Sequence, residues 1–212
     1  MKYLIHTCKS RLWYVEKHLI KSMLQQDIKF GDIDVYVDEN NDGNLRSTLK
    51  SFSQLPEYGI TCHLQDDIIL ASYFHERIQD YDLPFPLYNV VCGFASVYDK
   101  GLDGEVHPED MWYSFPCIMI HNKYAHEFVD YIENCNDDNE AVRIANNMFD
   151  DWLFKKFMIH NHPEEVVMNE APNLVNNIDY LIGGSTLSAR KEKIVSMYWN
   201  EPELIEELKK KL

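Results

Sequence analysis

Ile60-Thr61-Cys62-His63-Leu64-Gln65-Asp66-Asp67-Ile68-Ile69-Leu70 is the stretch that decides the fold of this chain. Ile60, Cys62 and Leu64 put an apolar residue at every second position, which predicts a strand that runs out into two adjacent carboxylates. Neighbouring acids repel each other by about 1 kcal/mol or more even in high dielectric. Asp66 and Asp67 therefore call for a cation or for heavy solvation between them, and the stretch alone leaves both readings open.

Upstream, Tyr3-Leu4-Ile5 predicts a first strand, and Leu12, Val15, Leu19, Ile20, Met23 and Leu24 are spaced for one face of a helix over 10–26, with Ser10 as N-cap. Arg11 then stands in the first turn, either facing a ligand at the carboxyl end of the first strand or solvated at the helix start. Ile33, Val35 and Val37 predict a second strand that ends in Asp38-Glu39-Asn40-Asn41-Asp42-Gly43. That loop imitates the first half of an EF-hand, but Leu49 stands where the bidentate Glu is needed and a strand precedes the loop, so calcium is not expected. Asp38 is a candidate to meet a ribose or base, with a solvated turn as the alternative.

Leu45, Leu49 and Phe52 mark a second helix, stopped by Pro56 and Gly59. Strand, helix, strand, helix, strand is the order of an α/β fold with a mostly parallel central sheet flanked by helices. The acids of residues 66 and 67 fall at its carboxyl edge, where such sheets bind nucleotides. Neither G-x-G-x-x-G nor G-x-x-x-x-G-K-[ST] occurs in the sequence, so a bound diphosphate needs another source of positive charge. A divalent metal held by Asp66 and Asp67 supplies it, because hard cations take carboxylate and phosphate oxygens together.

Downstream, residues 72–80 read as a helix, Leu87 to Ser96 as a buried strand, and Asp99 to Trp112 as a long loop of the kind that forms lids. Phe115 to Ile120 predicts a further strand and His121-Asn122 opens a helix. From Glu140, the residues Val142, Ala145, Phe149, Trp152 and Leu153 trace a helical stripe with Asp150-Asp151 partway along. Adjacent helix positions point about 100° apart, so one of these two acids faces a cleft, and Asp151 is the better placed. His160-Asn161-His162-Pro163 reads as a helix end, Glu165 to Met168 as a short strand, and Glu201 to Leu212 as a charged terminal helix.

A chain of 212 residues with 45% hydrophobic and 13% aromatic content can fill a core. Its formal charge of -15 opposes a broad grip on nucleic acid. The five cysteines are far apart, without a Cys-x-x-Cys pair, and read as free thiols in a reducing compartment. No apolar run approaches the roughly 20 residues of a membrane helix and the N-terminus does not read as a signal peptide, so a cytoplasmic protein is expected.

Four features in this order, the opening strand and helix with Arg11, the second strand ending at Asp38, the stretch Gln65-Asp66-Asp67, and Pro172-Asn173-Leu174-Val175, resemble a small GT-A-type glycosyltransferase of bacterial or phage kind. The resemblance covers most of the chain. It implies a single GT-A (Rossmann-like) domain over 1–212 with a C-terminal helical segment, residues 1–100 forming the nucleotide-sugar-binding half and 101–212 the acceptor-binding half. It further implies a nucleotide-sugar donor, a UDP-sugar first, and Mn2+ or Mg2+ held where the family has its Asp-x-Asp motif. By that resemblance Asp66, Asp67 and Asn177 are the metal residues, Arg11, Asp38, Gln65 and Asp66 meet the donor, and Asp151, with Asp150 second, deprotonates the acceptor hydroxyl. The acceptor is a glycan or a modified DNA base in a phage-infected cell.

Two positions depart from the family pattern. Gln65 offers an amide oxygen without charge, and Asn177 stands where related sequences often carry a metal-binding His. Two other readings compete: a nucleotidyltransferase, whose N-terminal Gly-rich loop Thr7-Cys8-Lys9-Ser10 does not supply, and a non-catalytic GT-A-like domain that binds a nucleotide.

Overall fold

The computed structural model describes residues 1–82, 87–96, 101–112, 115–135, 141, 144, 146, 150–183 and 198–212. Strand β1 (Lys2–Cys8) leads through a helical run α1 (12–25) to β2 (Ile33–Asp38), then through α2 (Asn44–Ser53) to β3 (Ile60–Gln65). There follow β4 (Ile68–Leu70), α3 (Phe74–Tyr81), β5 (Val90–Cys92), β6 (Gly104–Val106), β7 (Cys117–His121) and α4 (Asn122–Glu133). Helix α5 (Asp150–Asn161), β8 (Val167–Asn169), β9 (Val175–Asn177), α6 (Asp179–Ile182) and α7 (Pro202–Lys211) complete the described elements.

Seven strands form one sheet in the order β2-β1-β3-β7-β5-β8-β6, and β4 pairs with β9 in a separate two-stranded sheet. The first three strands are parallel, as the strand and helix alternation predicts. Beyond them the sheet is mixed: β7 runs antiparallel to both β3 and β5, β5 and β8 are parallel, and β6 is antiparallel to β8. Parallel neighbours need a crossover element on one face, and that requirement is met by α1 and α2 in the first half of the chain.

Alternation along each strand divides the core in two. On β7, Cys117 and Met119 join Ile5, Leu64, Tyr14, Met23 and Phe74 on the face covered by α1 and α3. Ile118 and Ile120 join Phe52, Phe128, Phe154 and Phe157 on the opposite face, covered by α2, α4 and α5. Each such side chain contributes about 1.5–3 kcal/mol on full burial, so both faces of the sheet are anchored and its carboxyl edge is left for chemistry.

Several boundaries differ from expectation. Helix α1 starts one residue later than a Ser10 cap would place it: Arg11 N–H donates to Cys8 O at 3.0 Å, which turns the chain, and Arg11 itself is the N-cap. The run contains a π-helical turn at Val15–Leu19, a widening that occurs often near functional sites. The expected strand from Leu87 to Ser96 is shortened to β5.

The described part of the expected 99–112 lid is anchored to the sheet, with Val106, Pro108, Met111 and Trp112 buried and the residues between them largely exposed. β6 pairs with β8, and Asn169 binds the segment three ways, accepting from Trp112 N–H at 3.1 Å and donating to Leu102 O and Asp110 O at 2.6 and 3.2 Å. Trp112 is 1% exposed. Asp99 and Lys100, and Val142, Ala145 and Phe149 of the expected helical stripe, lie outside the described residues. Asp150 and Asp151 stand in the first turn of α5. No helix among the described residues is long and apolar enough to cross a membrane.

Candidate active site

At the carboxyl end of β1 the backbone and side chains reach across to the acid pair. Asp66 Oδ2 accepts from Thr7 Oγ1 at 2.7 Å and from Cys8 N–H at 3.3 Å, and its Oδ1 accepts from Arg11 Nη1 at 2.9 Å. Both of its oxygens are thereby committed to fixing the end of β1 and the start of α1. Arg11 Nη1 also lies 3.2 Å from Asp67 Oδ2, Nη2 pairs with Asp179 Oδ1, and Nε donates to Gly183 O at 2.8 Å. Burial works against the guanidinium charge, and the carboxylates of Asp67, Asp66 and Asp179 more than offset it, holding the Arg11 pKa well above its usual value.

Three carboxylates thus surround one buried cation, leaving two negative charges in excess when all are ionised. Asp67 is the least compensated. Its Oδ1 is buried without a hydrogen-bond partner. Burial and then the charge of Asp66 push its pKa up to about 6, against the pull of Arg11.

The C-terminal part of the chain is brought to this pair by the small sheet. Ile68 is the register partner of Asn177, and Ile178 N–H donates to Asp67 O at 2.7 Å. Asn177 Oδ1 accepts from Asp179 N–H at 3.1 Å, so its carbonyl serves the start of α6. Asp179 is a site residue the sequence reading missed, because its role depends on Arg11, 168 positions away.

Asp38 is 6% exposed, and its carboxylate accepts from Asp42 N–H at 2.9 Å and Gly43 N–H at 3.2 Å. It ties down the loop that enters α2, where Gly43 sits at φ 85°, a conformation that favours glycine. Asp42 is paired with Lys50 at 2.5 Å. Asp150 is 4% exposed and accepts from Thr48 Oγ1 at 2.8 Å and from Asp151 N–H at 3.0 Å; burial raises its pKa, while the Thr48 bond and His6 oppose the rise. Asp151 is partly exposed and its carboxylate accepts from Trp152 N–H at 2.7 Å.

His6, also missed in the sequence reading, links these groups: burial lowers its pKa, and the charges of Asp150, Asp66 and Asp38 act the other way. The structure therefore gathers Arg11, Asp66, Asp67, Asn177 and Asp179 into one cluster. Asp38 lies beside it as the register partner of Cys8, and Asp150, bound to Thr48, is close enough to His6 for its charge to act there.

For a divalent cation the donor set is informative. Asp66 and the Asn177 carbonyl are committed, and among the described residues no group of three His, Cys, Asp or Glu forms a metal cage. Asp67 Oδ1 is an orphaned buried oxygen. That set fits a Mg2+-like ion that takes one protein carboxylate oxygen and draws the rest of its shell from oxygens outside the protein.

The sequence matches no described protein family and no curated protein. Among solved structures it superposes on S. aureus TarS 1-349 with a TM-score of 0.50 at 12% identity, covering 82% of this chain and 59% of that one. A galactosyltransferase, LgtC, with donor and acceptor sugar analogs aligns at a TM-score of 0.45 and 9% identity over 81% of this chain and 73% of that one. A putative glucose-1-phosphate thymidylyltransferase from Bacillus anthracis aligns at 0.44 and 11% over 84% and 89%. This chain spans less than two thirds of the TarS chain it matches. With a seven-stranded mixed sheet flanked by helices and the superposition on TarS, the chain has the fold of the GT-A-type glycosyltransferases.

Proposed function

We propose that the protein transfers a sugar from a nucleoside-diphosphate sugar, UDP-sugars first, to the hydroxyl of an acceptor. The observation that carries this reading is the Arg11–Asp66–Asp67–Asp179 cluster at the carboxyl edge of a GT-A-type sheet. Its excess negative charge opposes an anionic diphosphate approaching alone. It favours one that arrives with Mn2+ or Mg2+, which would meet Asp67 Oδ1. Such an ion, when bound, supplies Lewis-acid stabilisation of the leaving diphosphate.

The chain's own residues do the rest. Thr7, Cys8 and Arg11 fix Asp66, and through Asp66 the orientation of the neighbouring Asp67. Asp179 and the Gly183 carbonyl hold Arg11 from the other side. Asp151, partly exposed at the start of α5, is assigned the acceptor proton, and the buried Asp150 anchors that turn to Thr48. The net charge of -15 favours a glycan or small-molecule acceptor over a modified base in DNA, in a bacterial or phage setting.

Incubating the protein with a panel of nucleotide sugars, with Mn2+ and with a chelator, and measuring released nucleoside diphosphate tests the proposal. Release from one donor that stops on chelation is expected. No release with any donor, together with no binding of any nucleoside diphosphate in calorimetry, overturns it.

A further inference from the structure

The chain carries a formal charge of -15, yet one part of its surface is basic and apolar together. It is formed by the outward face of α1 and the last turn of α7. On α1, Trp13 is 39% and Leu24 42% exposed, and Lys17 and Lys21 stand exposed between them. On α7, Lys209, Lys210 and Lys211 follow one another, and Leu212 after them is 47% exposed. The two helices meet at His18: burial lowers its pKa first, and the charges of Lys211, Lys17 and Lys21 lower it further. Lysines from opposite ends of the chain thus converge on one imidazole. Glu16 stands beside Lys17, and Glu206 and Glu207 pair with Lys209 and Lys211 at 2.5 and 3.7 Å, so Lys17, Lys21 and the three lysines of α7 outnumber the acids among them.

The exposed indole is held ready. Trp13 packs edge-on against Tyr14 and His18, with ring centroids 5.9 and 6.0 Å away and planes at 80° and 89°. Tyr14 and His18 stack on each other at 5.5 Å and 16°. Tyr14 is buried and its hydroxyl donates to Ile68 O at 2.7 Å, which roots the three rings in the core. His18 belongs to the π-helical turn Val15–Leu19, the kind of helix irregularity found at functional positions. A fixed indole loses little freedom on contact, and its amphipathic ring suits the boundary between headgroups and acyl chains. The long stems of the neighbouring lysines let their charges reach the headgroups. An anionic leaflet presents a continuous negative plane that meets the lysines of both helices together, whereas a protein partner has to match them point by point.

We propose that the outward face of α1 and the end of α7 form a docking surface for an anionic lipid bilayer, Lys17, Lys21 and Lys211 meeting the headgroups and Trp13 entering the boundary beneath them. This goes beyond the sugar-transfer reading and does not depend on it. Trp13 follows Arg11 by two residues, so a chain docked in this way carries its acid cluster beside the bilayer.

The test is co-sedimentation of the full chain with vesicles of phosphatidylcholine alone and of phosphatidylcholine and phosphatidylglycerol in equal parts, at low and high salt. The wild type should bind the anionic vesicles, release them as salt rises, and leave the neutral ones in solution. Lys17→Ala and Lys21→Ala should each weaken binding about fivefold. Trp13→Ala should weaken it with the salt dependence kept, and Lys123→Ala, an exposed lysine on α4, should change nothing. No binding to anionic vesicles at low salt, equal binding to both kinds of vesicle, or folded Lys17, Lys21 and Trp13 variants that all bind like the wild type overturns the proposal. Capture by immobilised polyglutamate without vesicle binding overturns it in favour of an acidic protein partner. The comparison of the two vesicles uses the wild type, so it decides the matter even if a variant does not fold. Each of these failures leaves the sugar-transfer reading intact, because release of nucleoside diphosphate is measured without lipid.

Discussion

Arg11 balances three carboxylates with one charge, and its guanidinium makes four contacts, to Asp66, Asp67, Asp179 and the Gly183 carbonyl, on two distant stretches of the chain. A lysine has no planar fork and cannot meet Asp66, Asp67, Asp179 and the Gly183 carbonyl at once. Arg11→Lys keeps the charge but leaves some of these acceptors unpaired, and should therefore destabilise the fold by about 1–3 kcal/mol, measured as a lower midpoint in urea. Asp67 gives a prediction of opposite sign. Its pKa rises on folding from 3.8 to about 6, so the native state holds a proton that the unfolded chain has released. Stability then falls as pH climbs through that window and stays reduced above it. In chelated buffer Asp67→Asn should be more stable than wild type at pH 8 by up to about 3 kcal/mol, the advantage vanishing below pH 4. Thermal melts across pH check this; an unchanged difference at both ends would remove the buried carboxylate as its source.

At the scale of elements, β1, β2, β3 and α2 were legible because their apolar periods are clean, and Pro56 and Gly59 mark where α2 must stop. The packed 101–112 segment was not, since its acids, glycines and proline describe a loop as well as they describe a short edge strand clamped by Asn169. Asp38 illustrates the same limit. Sequence shows an acid at a strand exit, and only the folded loop shows that its oxygens are taken up by Asp42 and Gly43. The contact between β5 and its neighbours supplies a third prediction. A Cβ on Gly93 would stand 2.7 Å from Cys117 Sγ and 3.1 Å from Leu174 Cδ1. Gly93→Ala should cost about 1–3 kcal/mol of stability by overpacking, read as a lower melting temperature, and Gly93→Ala combined with Cys117→Ala should recover part of it.

For the whole molecule, the sheet and its carboxyl edge follow from the order of strands and helices, while the site's charge balance joins residues from both ends of the chain and has no local signature. Asp66 and Asp67 were visible as a pair; that both oxygens of Asp66 are fixed structurally while Asp67 keeps one oxygen, Oδ1, without a hydrogen-bond partner depends on Thr7, Cys8 and Arg11. On the proposed sugar-transfer reading, with Asp67 Oδ1 as the one carboxylate oxygen of the cluster without a hydrogen-bond partner, metal and nucleoside diphosphate should bind interdependently. Mg2+ alone should shift the thermal transition little, UDP alone little, and both together by several degrees, a pattern a preformed cage would not give. The contact between Arg11 and Gly183 spans 172 positions. During synthesis the ribosome therefore exposes Arg11, Asp66 and Asp67 long before Asp179 and Gly183 emerge. A nascent chain can complete its parallel strands early, yet the Arg11 cluster acquires its final electrostatics only after residues 179–183 have left the exit tunnel, so its charge balance is set later than the sheet that carries it.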